Sequence, residues 1–209
     1  MIIKDKVVVI TGGSSGLGKE MAKLFKAEGA RVVINSNNKE KLTETSQELS
    51  VDSYLADVTS EGEMANLAKK IEKKYGQIDM WVNNAGIWTA HAPIEELDIA
   101  RVKAMLEVNT LGTIIGSKIA LHQMKKRGGT IMNVISTSAL APRPSSAGYS
   151  ASKWGARGFT EALNAACAGT SIAVIGVYPA GFKSEIFEGK PPANFGMFLA
   201  TEDVAKKII

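Results

Sequence analysis

The feature that most constrains this chain is a short apolar run that ends in glycines. Residues 6–10 (KVVVI) have the valine and isoleucine content of a strand covered on both faces. Thr11-Gly12-Gly13-Ser14-Ser15-Gly16-Leu17-Gly18 follows at once. Met21, Leu24, Phe25 and Glu28 then recur at helical spacing up to Gly29, a helix stop. A strand, a glycine loop and a helix N-terminus in that order make an anion site. Glycines let the backbone approach a phosphate, and the free N–H groups and the helix dipole favour negative charge. The spacing Gly12, Gly16, Gly18 is not G-x-G-x-x-G, nor a P-loop, which needs Gly-Lys-Ser/Thr. A glycine-rich turn without a ligand is the plain alternative.

The rest of the chain repeats the alternation. Apolar runs predict further strands at 31–36, 51–58 (with Asp57 at its end), 78–82, 129–135 and 171–178. Helical patterns lie between them. One spans 39–49, and another opens at a Ser60/Glu63 capping box with Met64, Leu67, Ala68, Ile71 and Tyr75 on one face. A long one runs from Asp98 to about 124, interrupted near Asn109 and Gly112, another covers 149–168, and a last begins near 201. A polar loop at 87–97 precedes the long helix, and no hairpin signal separates the strands. The expected fold is α/β, a Rossmann-like doubly wound parallel sheet with helices on both faces, formed by residues 1–209 as a single domain. After Tyr178 the character changes: Pro179, Gly181, Gly189, Pro191, Pro192 and Gly196 alternate with Phe182, Phe187, Phe195 and Phe198. Such a segment beyond a strand's C-terminal end is either a lid over a site or a loose loop whose phenylalanines pack locally.

Composition narrows the function classes. Hydrophobic residues make up 45% and charged residues 22% of the 209, an ordinary globular balance. The single cysteine, Cys167, excludes an internal disulfide and cannot by itself hold a metal, so a reducing, cytoplasmic setting is expected. The N-terminus has no signal-peptide pattern, and no window approaches the ~18 apolar residues of a membrane helix. The net charge is +4, but the lysines are dispersed; Lys69, Lys70, Lys73 and Lys74, and Lys125, Lys126 and Arg127, sit near helix ends. Solvated helix faces explain them better than a nucleic-acid stripe.

One stretch, 136–153 (STSALAPRPSSAGYSASK), carries candidate chemistry. It leaves the fifth expected strand, crosses a loop with Pro142 and Pro144, and enters a helix at about Tyr149. Tyr149 and Lys153 share one helix face. A fixed ammonium beside a phenol favours the phenolate and brings its pKa down toward neutrality. Ser136, returned by the loop, can hydrogen-bond the substrate oxygen that the phenol serves. Any amphipathic helix can show Tyr-x-x-x-Lys, so the pairing gains weight only from its surroundings.

With these pieces placed, the sequence resembles the short-chain dehydrogenase/reductase family over nearly its whole length. The resemblance rests on Thr11-Gly12-x-x-x-Gly16-x-Gly18, Asp57-Val58, Asn83-Asn84-Ala85-Gly86, Asn109, Ser136, Tyr149-x-x-x-Lys153 and the Pro179 segment, in order. It implies hydride transfer between a nicotinamide cofactor and a carbonyl or alcohol. Gly12, Gly16 and Gly18 with Ser14, Ser15 and Leu17 would cradle the pyrophosphate. Asp57 and Val58 would contact the adenine, and Asn84, Ala85 and Gly86 would line the crevice beside it. Tyr149 would act as general acid or base. Lys153 would hold the nicotinamide ribose and lower the tyrosine's pKa. Ser136, which stands 13 before Tyr149 as in the family pattern, would position the substrate oxygen rather than its neighbours Thr137 and Ser138. Asn109 would anchor a water linking Lys153 to solvent. Pro-Ala replaces the family's Pro-Gly at Pro179-Ala180, and Ser184 stands for a threonine that contacts the nicotinamide amide.

Cofactor choice falls to the end of the second strand, where an acid would bind the ribose hydroxyls of NAD and repel the phosphate of NADP. Asn35-Ser36-Asn37-Asn38 has neither acid nor arginine, while Lys39 and Lys41 are near, so NADP is expected ahead of NAD. NADP-binding members usually carry Arg or Lys at the position of Ser15 or Asn37, which keeps NAD open. The expected partner is a small, largely apolar carbonyl or alcohol substrate walled by Trp88, Leu140, Phe182, Phe187 and Phe195, with His91 and Arg143 as solvent-facing neighbours. No nucleic acid and no membrane are expected, and the resemblance implies a homodimer or homotetramer. Family members usually continue into a seventh strand, so an end at Ile209 implies either a truncated sequence or a shortened member. Two alternatives use the same motifs: a dinucleotide-binding sensor without turnover, whose relatives typically lose the tyrosine or lysine, and a sugar-nucleotide epimerase, which needs a larger C-terminal domain.

Overall fold

Six parallel strands lie side by side in the computed structural model, which describes residues 3–141, 143–187, 191–192 and 195–209. In chain order they are Val7–Thr11 (β1), Arg31–Ser36 (β2), Asp52–Leu55 (β3), Met80–Asn83 (β4), Gly129–Val134 (β5) and Ile172–Val177 (β6). Their spatial order is β3-β2-β1-β4-β5-β6, the doubly wound arrangement expected from the alternating pattern. The period-2 geometry of a strand splits β1 between two cores. Val7 and Val9 face helices Glu61–Tyr75 (α3), Gly112–Met124 (α5) and Ala147–Cys167 (α6), packing with Met64, Ile71, Ile119 and Leu163. Val8 and Ile10 face Gly16–Ala27 (α1), Lys39–Leu49 (α2) and Thr201–Ile208 (α7), packing with Met21, Phe25, Leu42 and Val204. An uninterrupted apolar strand is needed because both faces are covered.

Local chemistry sets the boundaries. Asn38 caps α2 by accepting from the Lys41 N–H at 3.0 Å, and Gly76 ends α3 at φ +81°. The third strand is shorter than the expected 51–58. Asp57 turns the chain out of the ladder, its carboxylate accepting from the N–H and hydroxyl of Thr59 at 2.8 and 2.7 Å. The capping box is half formed. Ser60 accepts from the Glu63 N–H at 3.4 Å, but the Glu63 carboxylate takes the Asp57 N–H at 2.9 Å, because the Ser60 N–H already donates to the Asp57 carbonyl. The long helix is interrupted where expected. Ile99–Met105 (α4), capped by Asp98, and α5 are joined through Leu106–Leu111, a widened π-type turn. The loop at 87–97 contains a 3₁₀ turn, Ile94–Glu96.

Beyond β6 the described residues are ordered into structure rather than a loose loop. Phe182–Lys183 (β7) pairs in parallel with Leu199–Ala200 (β8), and the rings of Phe187, Phe195 and Phe198 lie 5.5–5.9 Å apart. Pro142 and Gly189 lie outside the described residues. No helix of the described residues is long and apolar enough to cross a membrane.

A buried polar network stitches the sheet's centre to the helices below it. Asn83 accepts from the Trp81 indole N–H at 2.9 Å and donates to Ser117 at 3.0 Å and Asn133 at 2.8 Å; Asn133 donates on to Thr160 at 2.9 Å. Each donor is matched, which is what makes such a cluster tolerable in an apolar interior. An Asn83→Ala substitution strands the Trp81 indole N–H, while the Ser117 hydroxyl keeps its bond to the Asn133 amide oxygen at 3.3 Å, and should cost about 1–3 kcal/mol. Urea unfolding checks this through a lower midpoint at unchanged m value; a loss below about 0.5 kcal/mol would mean that water replaces the amide.

Candidate active site

The C-terminal ends of the strands open onto one crevice of about 650 Å³. At its floor the chain after β1 doubles back into α1. Gly12 has φ +62°, and a Cβ there would stand 2.8 Å from the Ala85 Cα. A Cβ on Gly18 would stand 2.2 Å from the Gly12 carbonyl oxygen, so α1 meets the loop backbone to backbone. The N-terminus of α1 has no side-chain cap at Ser15 and no acid in its first turn, whereas α2 and α3 have both. Its N–H groups and dipole are thus left for an anion in the crevice, which suits a dinucleotide pyrophosphate.

The wall opposite is fixed by reciprocal bonds. The Thr11 hydroxyl accepts from the N–H groups of Asn84 and Ala85 at 3.0 and 3.1 Å, and the Asn84 amide donates to the carbonyls of Thr11 and Gly12 at 2.9 and 3.2 Å. Asn84 therefore lines the crevice with its side chain already spent on holding β1 to the chain after β4. The adenosine end behaves similarly. Asn35, fully buried, donates to the carbonyls of Tyr54 and Ala56 at 3.2 and 2.8 Å, leaving its own amide oxygen without a partner. Ser36 accepts from the Ser14 hydroxyl at 2.9 Å and from the Asn38 N–H at 3.1 Å.

At the other end, α6 presents Tyr149 and Lys153 to the crevice and the loop after β5 presents Ser136. The Lys153 ammonium lies 5.8 Å from the centre of the Tyr149 ring, is 4% exposed, and donates to the Val134 carbonyl at 3.2 Å. That bond is its single partner among the described residues, so two of its three N–H donors point at nothing. Burial pushes the Lys153 ammonium down to about 8 and the Tyr149 phenol up to about 12, the Ser136 hydroxyl pulling the latter back. The expected lowering of the tyrosine by the lysine is not seen. Desolvation outweighs a charge that is not hydrogen-bonded to the phenol oxygen.

Asn109 lies in the π-type turn, fully buried behind this pair. Its amide exchanges two bonds with the Ile87 backbone, accepting at 2.8 Å and donating at 2.9 Å, and donates to the Ser152 hydroxyl at 3.0 Å. A Cβ on Gly86 would stand 3.1 Å from the Asn109 Oδ1 and 3.6 Å from the Lys153 Nζ, so both atoms border one point.

These features find their counterpart in known proteins. The family described as short chain dehydrogenase matches residues 6–194. The chain belongs to that family. An oxidoreductase of Staphylococcus saprophyticus is 33% identical over 184 residues, covering 85% of this chain and 78% of that protein. The 3-oxoacyl-(acyl-carrier-protein) reductase of Thermotoga maritima is 32% identical over all of this chain and 91% of its own length. Among solved structures, the 3-ketoacyl-(acyl-carrier-protein) reductase of Brucella melitensis complexed with NADH superposes with a TM-score of 0.91 at 27% identity, covering 99% of this chain and 90% of that one. The protein is accordingly an NAD(P)-dependent oxidoreductase acting on a small molecule.

Most residues singled out from the sequence line the short-chain dehydrogenase crevice: Gly12, Ser14, Ser15, Gly16, Leu17, Asn35, Ser36, Asn37, Asp57, Val58, Asn84, Ala85, Gly86, Ser136, Tyr149, Lys153, Pro179 and Ser184. Gly18 and Asn109 do not; they support it from behind. Of the apolar walls, Trp88, Phe182 and Phe187 line it, while Leu140 is 49% exposed elsewhere and Phe195 packs behind Phe187. His91 and Arg143 are exposed, as expected, and also border the crevice, with His91 edge-on to Trp88 at 5.4 Å. Sequence reasoning missed Thr11, Ser152 and the ion pair between Lys41 and Glu185, each of which depends on a partner distant in the chain.

The buried lysine makes a stability prediction. Between about 8 and its unfolded value of 10.5, the unfolded chain holds the proton that the folded protein has lost, so stability rises with pH across that window. Lys153→Met removes this dependence. The gap in unfolding free energy between wild type and variant should shift in the wild type's favour by about 2–3 kcal/mol from pH 7.5 to pH 9.8, measured by urea titration; tyrosines that begin to ionise near the upper end are common to both proteins.

Proposed function

We propose that this short-chain dehydrogenase interconverts a carbonyl and an alcohol on a largely apolar small molecule, with Tyr149 as general acid in reduction and general base in oxidation. The observation that carries this reading is the convergence of Tyr149, Ser136 and a buried, under-bonded Lys153 at one end of a crevice whose other end has an uncapped helix N-terminus. When bound, the nicotinamide supplies or accepts the hydride. Tyr149 gives its phenolic proton to the substrate oxygen or takes it back. Ser136 hydrogen-bonds that oxygen and the phenol. Lys153 would hold the ribose hydroxyls with its remaining N–H donors, and its charge there would favour the phenolate. Asn109 Oδ1 and Lys153 Nζ both lie close to Gly86, and this proximity supports a proton path along that edge.

Trp88, Phe182 and Phe187 favour an apolar substrate, and the two reductases similar to this chain act on acyl ketones by their names. NADP(H) is the preferred cofactor in this reading, because the strand end at 35–38 has no acid and Lys41 lines the crevice there. Assembly as a homodimer or homotetramer is supported by exposed Ile99, Leu106, Leu111 and Trp154 on the α4–α6 side. The free, buried Cys167 fits a reducing cytoplasm. A sensor without turnover has less support, since all four expected catalytic positions are intact.

Tyr149→Phe should lower kcat by about 10²–10⁴-fold, the range of a general acid, while NADPH affinity stays within about twofold. Stopped-flow reduction of an acyl ketone and tryptophan quenching by NADPH measure the two. Retained turnover overturns the acid assignment, and lost binding overturns the division of the crevice into two ends.

A further inference from the structure

The adenosine end of the crevice contains one unusual pairing. Lys41, in the first turn of α2, reaches across to Glu185 on the segment after β7, ammonium to carboxylate at 2.5 Å. The two residues are 144 apart in sequence, and both line the crevice. The same segment sits directly on the glycine loop, since a Cβ on Gly16 would stand 2.9 Å from the Ser184 hydroxyl. Two neighbouring polar side chains are already engaged, Ser36 by Ser14 and the Asn38 N–H, and Asn38 by the α2 cap. The remaining crevice-lining cations, Arg143 and Lys153, lie at the end where Tyr149 and Ser136 are.

We propose that Glu185 is a specificity-determining residue for the cofactor, acting as a counter-ion that a 2′-phosphate must displace from Lys41. A 2′-phosphate carries close to two negative charges at neutral pH and pairs with a cation, but here it meets a cation already held by a carboxylate. Binding it either breaks the Lys41–Glu185 pair or places two anions around one ammonium. A 2′-hydroxyl makes no such demand and finds in Glu185 an acceptor. The acid that the strand end lacks is thus delivered from a remote segment. It moderates the NADP preference of the proposed function, on which this inference rests only for the location of the adenosine.

Adenosine 2′,5′-bisphosphate and adenosine 5′-monophosphate differ in the 2′-phosphate alone, so calorimetric titration of the intact protein with each isolates its contribution. Glu185→Gln should tighten the bisphosphate by about tenfold and change the monophosphate by less than about twofold. Lys41→Met should weaken the bisphosphate by about tenfold, and in the Lys41→Met background Glu185→Gln should lose its effect on the bisphosphate. The gain from Glu185→Gln should shrink in 0.5 M KCl, because both side chains are partly exposed. Equal changes for both ligands, or none in either, overturn the proposal. A wild type that binds NADH more tightly than NADPH would defeat the NADP reading without touching it, since the effect of Glu185→Gln on the bisphosphate is read separately.

Discussion

The crossing of four hydrogen bonds between Thr11–Gly12 and Asn84–Ala85 is the constraint on which the site depends. In the order β3-β2-β1-β4 the chain reverses its winding direction beside β1, so the strand ends separate and their backbone groups lose ladder partners. Left unpaired in this half-buried position, each would cost about 1–3 kcal/mol. The Thr11 hydroxyl takes two of the orphan N–H groups and the Asn84 amide takes two of the carbonyls. The crevice is the gap those bonds leave open. Gly12 is required within it, because the two chain segments stand so close that a Cβ would overlap Ala85.

How far the sequence foretells this depends on the distance over which each feature is decided. The six strands are legible because burial on two faces demands apolar runs, and the widened turn at Leu106–Leu111 shows as a break in helical period. Tyr149 and Lys153 are legible together because one helix turn separates them. The third strand is read too long because Asp57, though a turn former, follows an apolar run that itself gives no stop. Asn83, Asn133 and Thr160 read as unremarkable polar residues, since nothing local says that their side chains meet beneath the sheet. Likewise Lys41 is visible as a nearby cation, but its partner Glu185 comes from a segment whose only local signal is proline, glycine and phenylalanine.

The resting state of the catalytic pair follows from burial rather than from the pairing itself. Both the phenolate and the ammonium are penalised by desolvation, and so burial favours a neutral phenol beside a lysine pushed down to about 8. Such a lysine is unfavourable for the fold. The amides of Asn83, Asn84 and Asn133 nearby each have partners of their own. The two unengaged N–H donors mark where the fold gives up stability for binding capacity.

The π-type turn explains why a four-residue spacing on α6 suffices to place the reacting groups. Widening the helix by one residue rotates Asn109 and Thr110 toward α6 together. Thr110 donates to the Ser152 carbonyl at 2.7 Å and its methyl fills the notch at Gly155, while Asn109 donates to the Ser152 hydroxyl. That hydroxyl donates in turn to the Tyr149 carbonyl at 2.7 Å. The bonds therefore run without a break from the Ile87 backbone, through Asn109 and Ser152, to the backbone of Tyr149. A regular helix here would turn Asn109 away and leave the wall after β4 and the first turns of α6 joined only by apolar contact, which fixes distance loosely. With the widened turn, the width of the crevice at its chemical end is set by hydrogen-bond lengths.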